Sequence, residues 1–307
     1  MNAEFNFKTL AEFMGHFHDE ATCVSHFTTV RFANGAYCPY CGNKQVYTFK
    51  DGKRYRCAGC KQDFTIKTGT LFGESKLPLR KWFICIYLLS TTSKGMSSVQ
   101  LAKHVGVTQK TAWFMAHRIR GAKKQGTIKI KGTVEADETY IGGRAKNMHA
   151  SKRKASGVGT GGLGKIAVFG VRERGGEVRT TIIPENDSKT LHPLIRANVE
   201  TGATLYTDEH RGYNGLGYEY VRNIIRHGLK QYVVGDCHTN GIESFWALFK
   251  RGYHGVYHQM SRKHLQRYLN EFSFRLNRKE RDMTEVFSDV VGGIANNDQL
   301  PYKVLTA

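Results

Sequence analysis

Three acidic residues beyond position 130 are spaced so that they could together bind divalent metal ions. Asp137 lies in an apolar-flanked run that predicts a first strand, and Asp208 closes a second predicted strand. Glu243 follows Asp208 after 34 intervening residues, at the start of a predicted helix. Cleavage with two divalent metals needs carboxylates from separate elements to converge, with the metals roughly 3.5–4 Å apart. Two strand-end aspartates and one helical glutamate can supply this geometry.

Single carboxylates in this part of the chain have a simpler explanation as surface charges. Other acids lie close to the three candidates, namely Glu135, Glu138, Glu209 and Asp236. Taken one at a time, a charged residue is more often solvated than functional. The hypothesis therefore depends on the spacing and the neighbours of the three acids together.

Two cysteine pairs predict a zinc ribbon. Cys38 and Cys41 form the first pair, Cys57 and Cys60 form the second, and fifteen residues lie between the pairs. Two thiolates from each pair can converge on one tetrahedral Zn²⁺. Because the protein fills all four positions, this zinc is expected to be structural and to leave no place for a reacting water. The alternative is four unrelated buried cysteines.

Residues 97–120 fit a helix-turn-helix. Ala102 is small enough to let two helices approach, Gly106 allows a turn, and Thr108 is placed to cap the second helix. The residues placed to contact DNA at the start of that helix are Gln109, Lys110 and Thr111. An ordinary helical hairpin is the alternative, because this pattern is degenerate.

The elements that must position these residues follow from hydrophobic periodicity. A helix is predicted at 5–32, short strands with tight turns at 33–70, and helices within 77–121. Strands are then predicted at 134–141, 165–172, 177–183, 204–207 and 218–226, with a helix at 187–198 and two more at 240–251 and 261–277. This order is compatible with an RNase H-like α/β sheet.

The predicted fold class is a multidomain α+β protein in four parts. They are an N-terminal helix with the zinc ribbon at 1–72, a helix-turn-helix domain at 73–130, an RNase H-like catalytic domain at 131–285 and a C-terminal tail at 286–307. The glycine-rich run at 156–165 suggests a phosphate-binding loop. However, no Ser or Thr follows Lys165, and a predicted strand comes next, so a connecting loop is favoured. With the basic residues at 152–154, this loop is placed to contact a DNA backbone.

The charge balance indicates a polyanionic partner. The 307 residues include 46 Lys and Arg against 26 Asp and Glu, which gives a net charge of +20. Nucleic acid is the commonest partner of such a protein, and a generic basic protein of the ribosomal kind is the alternative. The longest apolar run, 82–89, is far shorter than the roughly 20 residues of a membrane span. The acidic residues near the N-terminus argue against a signal peptide, so a cytoplasmic location is expected.

Four motifs resemble those of insertion-sequence transposases of the Merlin-like DDE superfamily, in the branch with an N-terminal zinc ribbon. The matching segments are 134–143 (VEADETYIGG), 207–216 (TDEHRGYNGL), 238–252 (HTNGIESFWALFKRG) and 269–278 (LNEFSFRLNR). The resemblance covers nearly the whole chain, and the last two motifs are quite specific.

The resemblance implies a catalytic domain that cleaves transposon ends and joins their 3′-hydroxyls to target DNA. Asp137, Asp208 and Glu243 would hold two Mg²⁺ or Mn²⁺ ions. The ribbon and the helix-turn-helix would recognise terminal inverted repeats in double-stranded DNA. Bringing two ends together implies a homodimer or a higher oligomer, located at the nucleoid.

The third ligand is ambiguous within this family, because either a glutamate or an asparagine followed by a lysine is described. Asn240, Glu243 and Lys250 stand at positions i, i+3 and i+10, so they share one helical face. Magnesium prefers anionic oxygen, which favours Glu243 as the ligand. Asn240 is then an extra ligand, and Lys250 contacts substrate phosphate.

Two other classes of protein remain as alternatives. A transcription regulator with a zinc ribbon and a helix-turn-helix would need no acid triple. A recombinase that forms a covalent intermediate would need a Ser or Tyr nucleophile. Tyr140 and Tyr213 are candidates for that role, but the sequence shows no surrounding Arg and His cluster of the required kind.

Overall fold

The computed structural model of the chain describes residues 6–142, 165–226 and 237–306. These residues form two compact units. The first unit contains residues up to Lys124 together with those from Glu280 onward, and the second unit is Gln125–Lys279. Most of the predicted glycine-rich loop, with the basic residues at 152–154, lies outside the described residues. None of the described helices is long and apolar enough to span a membrane.

The first unit is mainly helical. Its helices are α1 Leu10–His16, α2 Glu20–Arg31, α3 Leu79–Thr91, α4 Ser98–Val105, α5 Gln109–Ala122, α9 Met283–Ala295 and α10 Tyr302–Thr306. The single helix predicted at 5–32 is wrong, because α1 and α2 are separated at 17–19. Asp19 caps α2 by accepting the backbone N–H of Thr22 at 2.8 Å, so a new helix begins there.

Residues 286–307 were expected to form a tail, but their first part is a core helix of the first unit. Helix α9 packs against α2, α3 and α5. Phe287 of α9 is fully buried, and its ring lies 5.4 Å from that of Phe13 and 5.2 Å from that of Phe83. The apolar side chains of α9 therefore join the aromatic cluster that α1 and α3 form.

Helices α4 and α5 are joined by a short turn. Gly106 ends α4 in the left-handed conformation, with φ of 65°. Thr108 caps α5 by accepting the backbone N–H of Thr111, as predicted. Gln109 and Lys110, in the first turn of α5, are exposed. The second half of α5 is buried, so its first turn is the part of this helix that faces solvent.

The cysteine pairs lie beside a small antiparallel sheet of the first unit. Its strands are β1 Val46–Thr48, β2 Arg54–Cys57 and β3 Asp63–Thr65, in the order β1-β2-β3. Tyr55 of β2 stacks on Phe64 of β3 with ring centroids 5.4 Å apart. This sheet agrees with the short strands predicted for 33–70.

The second unit contains a five-stranded mixed sheet. Its strands are β4 Thr133–Ile141, β5 Ile166–Glu173, β6 Val178–Ile183, β7 Thr204–Asp208 and β8 Val221–Ile225. The strand order is β6-β5-β4-β7-β8. The β6–β5 and β5–β4 pairs are antiparallel, whereas β4–β7 and β7–β8 are parallel. Each strand predicted from the sequence is present within a few residues of its expected bounds.

Helices cover both faces of this sheet. They are α6 Ser188–Asn198, α7 Asn240–Gly252 and α8 Arg262–Asn277. Leu191 and Ile195 of α6 pack with Val134 and Ala136 on one face. The other face has a separate core, built from apolar residues of α7 and α8. Because side chains alternate along a strand, β4 contributes residues to both cores.

Candidate metal and catalytic centres

The four paired cysteines form one cluster in the first unit. Their ligand atoms all lie within 4.8 Å of one another. The Sγ atoms of Cys38 and Cys60 are 3.6 Å apart, and those of Cys41 and Cys57 are 3.5 Å apart. A Zn–S distance of about 2.3 Å places two sulfurs of a tetrahedron about 3.8 Å apart. The thiols therefore fit a structural zinc ion with no open position.

The turn within each pair presents backbone N–H groups to the first sulfur of that pair. Gly42 and Lys61, which follow the second cysteine of each pair, have φ of 74° and 59°. Within the first pair, Tyr40 donates its backbone N–H to the Cys38 sulfur at 3.4 Å. The backbone N–H of Cys60 lowers the pKa of the Cys57 thiol to about 7, whereas burial and the neighbouring thiols raise the pKa of the Cys60 thiol to about 12. A lower pKa favours the thiolate, which is the form that binds zinc.

Asp137 and Asp208 lie on adjacent parallel strands of the second unit. The β4–β7 register pairs Glu135 with Tyr206, and two residues further along each strand are Asp137 and Asp208. Asp208 is the last residue of β7, as predicted, whereas Asp137 lies in the middle of β4 rather than at a strand end. The Asp208 carboxylate accepts the backbone N–H of His210 at 2.9 Å. The sheet therefore brings together two of the three predicted acids.

Helix α7 brings the third acid to the same face as Asp137. Ile242 and Trp246 of α7 pack over Gly170, the direct partner of Asp137 in the β4–β5 pairing. Glu243 lies in the first turn of α7 and accepts a hydrogen bond from the Thr239 hydroxyl at 2.7 Å. As predicted, this acid stands at the start of a helix.

The electrostatics link the three acids. Burial raises the pKa of Asp137 to about 7, and the negative charges of Asp208 and Glu243 raise it in the same direction. Like charges gathered in a partly buried place favour a cation between them. Among the described residues, the sulfur atoms of the four cysteines all lie within 4.8 Å of one another, whereas the oxygen atoms of the three carboxylates do not. Their oxygen donors fit a hard divalent cation such as Mg²⁺ or Mn²⁺.

Asn240 and Lys250 are both exposed on α7. Asn240 is the first residue of the helix, one turn before Glu243. Lys250 is seven residues beyond Glu243, which corresponds to about 10 Å along the axis. The two side chains therefore flank Glu243 on the exposed part of α7.

Two acids that resembled surface charges in the sequence are buried or half-buried. Glu135 is only 1% exposed and points to the α7 side of the sheet. Glu138 accepts a hydrogen bond from the Tyr213 hydroxyl, and burial raises the pKa of Glu138 to about 8. Alternation along β4 was the available signal, since it placed Glu135 and Asp137 on one face. Asp236 lies outside the described residues.

The loop after β7 is held by β8. Arg222 donates to the Thr207 hydroxyl at 3.1 Å and to the carbonyl of Tyr213 at 2.9 Å. Tyr213 is fully buried, so it is not accessible as a nucleophile, whereas Tyr140 is 40% exposed. Beside this loop is an open cleft of about 570 Å³, and its lining includes Tyr140 and Arg211.

Comparison with known proteins matches a transposase domain in each of the two units. Residues 129–277 match the ISXO2-like transposase domain, and residues 18–63 match the transposase zinc-ribbon domain. The chain is 30% identical over 271 residues to an "Uncharacterized protein in transposable element ISH50" of Halobacterium salinarum, covering 84% of this chain and 91% of that protein. An "Uncharacterized transposase-like protein" of Haemophilus influenzae is 29% identical over 119 residues, which is 38% of this chain and 95% of the relative.

The chain belongs to the family of insertion-sequence transposases that combine an ISXO2-like DDE domain with a zinc ribbon. The resemblance seen in the sequence is thereby confirmed. No solved structure matches the chain significantly. A transposase family with a DDE domain indicates a DNA-binding enzyme that cleaves or transfers DNA and uses a divalent metal, and these matches do not favour a regulator without nuclease activity.

Proposed function

We propose that the second unit cleaves transposon ends and transfers their 3′-hydroxyls to target DNA through Asp137, Asp208 and Glu243. The observation that supports this most is geometric: Asp137 and Asp208 stand at matching positions of two parallel strands, and α7 packs over Gly170, the partner of Asp137. Burial raises the pKa of Asp137, and the charges of Asp208 and Glu243, which come from distant parts of the chain, raise it further. Asp137 and Asp208 are half-buried and Glu243 is exposed, so the proposed site is open to solvent on one side.

The three acids lie on three separate elements and would hold the divalent cations between them. Two Mg²⁺ or Mn²⁺ ions bound there would supply an activated oxygen nucleophile and would stabilise the leaving oxygen. The hydrogen bond from His210 N–H orients the Asp208 carboxylate. The Thr239 hydroxyl does the same for Glu243. Glu243, as an anionic oxygen donor, is the proposed third ligand, with Asn240 as an additional oxygen donor.

The arrangement of the sheet supports an RNase H-like catalytic domain. Three antiparallel strands are followed by two parallel ones, with helices on both faces and the acids at β4, β7 and α7. Lys250, which is exposed and about 10 Å along α7 from Glu243, is proposed to hold a substrate phosphate. As a mobile point charge it suits a phosphate that lies outside the metal site.

The first unit is proposed to recognise the terminal inverted repeats in double-stranded DNA. The short turn at Gly106 between α4 and α5 supports a helix-turn-helix in this unit. The exposed first turn of α5, with Gln109 and Lys110, is the part that would enter a major groove. The net charge of +20 supports extensive phosphate contact. Pairing two transposon ends would require a homodimer or a larger assembly.

A cleavage assay tests the proposed chemistry. Supercoiled DNA that contains the inverted repeats flanking the gene is incubated with the zinc-loaded protein and Mg²⁺ or Mn²⁺. We expect cleavage at the ends that depends on the divalent metal. Asp137→Asn and Asp208→Asn should abolish both cleavage and joining while DNA binding persists. Each substitution keeps the size of the side chain and removes only its charge.

Glu200→Gln is the matched control for these changes. Glu200 forms an ion pair with Lys131 at 3.4 Å, and both side chains are more than half exposed. This variant should cleave at the rate of the parent protein. Cleavage that survives in Asp137→Asn and Asp208→Asn would contradict the proposal. Specific binding of the ends without any cleavage, in every metal tested, would instead favour a regulator.

A further inference from the structure

We infer that Glu135 is a positioning residue that fixes the first turn of α7, and therefore Glu243, relative to Asp137. This inference rests on the proposed function. The Glu135 carboxylate is 1% exposed and accepts the backbone N–H of Ile242 at 2.8 Å. Ile242 is the third residue of α7, so its N–H has no acceptor within the helix. Glu135 supplies that acceptor from β4.

Groups that stabilise a negative charge lie close to the Glu135 carboxylate. The Arg174 Nε and the His238 Nδ1 are each 3.5 Å from its Oε1. The N-terminus of α7 adds the positive end of the helix dipole. A carboxylate with this little exposure is costly unless such partners surround it. Arg174 directly follows β5, and His238 lies two residues before α7, so Glu135 is held between the end of one strand and the start of the helix.

Glycine at position 241 is required for this approach. A Cβ at Gly241 would stand 2.6 Å from Oε2 of Glu135, closer than real Cβ contacts allow. Arg172 donates to the carbonyl of the same glycine at 2.5 Å. Arg172 is also the direct partner of Glu135 in the β4–β5 pairing. Two paired residues of the sheet therefore bind two adjacent residues of α7.

The contacts of Glu135 and Arg172 with α7 fix the distance between two proposed metal ligands, Asp137 and Glu243. Glu135 and Asp137 are two residues apart on β4, so both face α7, roughly 6.6 Å from each other along the strand. Ile242 is the residue before Glu243. The Glu135–Ile242 hydrogen bond thus joins the strand of one acid to the backbone next to the other. Glu135 itself is too buried to touch the substrate, so its effect acts through the position of α7.

The test measures Mn²⁺ binding to the zinc-loaded full-length protein by the loss of the free-ion electron paramagnetic resonance signal. Glu135→Ala removes the acceptor, and Gly241→Ala pushes the carboxylate away while keeping every charge. Each should raise the Kd for Mn²⁺ about 10- to 100-fold, as changes to groups that orient metal ligands do. Glu135→Gln keeps the length of the side chain and an acceptor oxygen, so it should bind Mn²⁺ much more like the parent protein.

Activity provides a second measurement. In cleavage assays, Glu135→Ala and Gly241→Ala should raise the Mn²⁺ concentration that gives half the maximal rate. A loss of folded protein alone would lower the maximal rate and leave that concentration unchanged. Gly217→Ala is the matched glycine control, because Gly217 has no left-handed φ and a Cβ there meets nothing within 4 Å. It should behave like the parent protein in both measurements.

Glu243→Gln separates the positioning role of Glu135 from the assignment of Glu243 as a metal ligand. If Glu243→Gln weakens Mn²⁺ binding while folded Glu135→Ala and Gly241→Ala bind Mn²⁺ like the parent protein, the positioning role is overturned and the ligand assignment stands. If Glu243→Gln also binds Mn²⁺ like the parent protein, the assignment of Glu243 is overturned, and the inference falls with it. Weakened binding in all three variants, with recovery in Glu135→Gln, supports both.

Discussion

Gly170 lies directly opposite Asp137 in the β4–β5 pairing, and the side chain of Trp246 occupies the space above it. A Cβ at position 170 would stand 2.6 Å from Cζ2 of Trp246 and 3.0 Å from Cδ1 of Ile242. Both are buried residues of α7, on either side of Glu243 in the sequence. The absence of a side chain at Gly170 therefore lets α7 lie close to the sheet beside the first acid.

Gly170→Ala should displace α7 and reduce both stability and activity. Adding a methyl group to a packed contact costs about 1–3 kcal/mol of unfolding free energy. Because Trp246 must move, DNA cleavage should fall further than the loss of folded protein explains. Chemical denaturation and single-turnover cleavage measure the two effects. Gly217→Ala is the control, and a fully active Gly170→Ala variant would contradict the role of this contact.

Three substitutions in α7 identify the third metal ligand. Glu243→Gln should stop cleavage and joining without loss of DNA binding, because it removes an anionic oxygen from the site. Lys250→Ala should slow the reaction and weaken binding of the ends together, because it removes a cation proposed to hold phosphate. Single-turnover cleavage and gel-shift titrations measure these effects. Loss of chemistry in Asn240→Ala, with Glu243→Gln nearly as active as the parent protein, would show that Asn240 is the ligand.

The cysteine cluster should hold one zinc ion per chain. Cys57→Ser should release the zinc and loosen the ribbon, because small ribbons depend on the metal for their folding. Elemental analysis and limited proteolysis of the purified protein measure this. Cys85→Ser is the control, since Cys85 is buried in α3, away from the cluster. A parent protein without zinc, or a Cys57→Ser variant that keeps its zinc, would refute the assignment.

DNA binding should weaken steeply as salt increases. Each phosphate neutralised by a cation contributes about −0.9 to the slope of log K against log salt. Lys110 is exposed in the first turn of α5, where its ammonium group lies 4.9 Å from the centre of the Tyr302 ring. If it contacts a phosphate, Lys110→Ala should reduce the slope by about one. Fluorescence anisotropy at several salt concentrations provides the slopes, and an unchanged slope would exclude this contact.

His26 should make the first unit less stable in mild acid. Burial among aromatic rings lowers the pKa of His26 to about 4, and the charge of His16 acts in the same direction. As pH falls below the unfolded value of about 6.5, the unfolded chain binds a proton that the folded chain does not. Stability is therefore complete above about pH 6.5 and is lost progressively toward pH 4.

Urea unfolding of the parent protein and of His26→Gln, at pH 7.5 and at pH 5, measures this effect. The variant is expected to be less stable at pH 7.5, because an amide packs less well against Phe17 and Phe83. Its loss of stability between the two pH values should nevertheless be smaller. His104→Gln, a change at an exposed residue of α4, serves as the control. An equal loss in the parent protein and His26→Gln would exclude His26 as the source.

The sequence by itself predicted the features that depend on local spacing. Two short cysteine pairs imply a common metal, because the chain must turn tightly at each pair and each turn can present two thiolates. The strands of the second unit followed from runs of apolar and β-branched residues, and Thr108 was recognisable as a cap because capping acts over three residues. Asp208 and Glu243 were identified by their motifs and by their positions at the ends of these elements, whereas Asp137, expected at a strand end, lies in the middle of β4.

The tertiary structure decided which of the neighbouring acids matter and what they touch. Glu135 resembled a surface charge, yet it binds the backbone of Ile242, 107 residues further along the chain. Glu138 likewise reaches Tyr213, and the expected tail supplies Phe287 to the core of the first unit. Hydrophobic periodicity shows which side of a strand or helix is buried, but not which distant element covers it. That choice depends on how whole elements pack against one another, which is why these contacts emerged only from the fold.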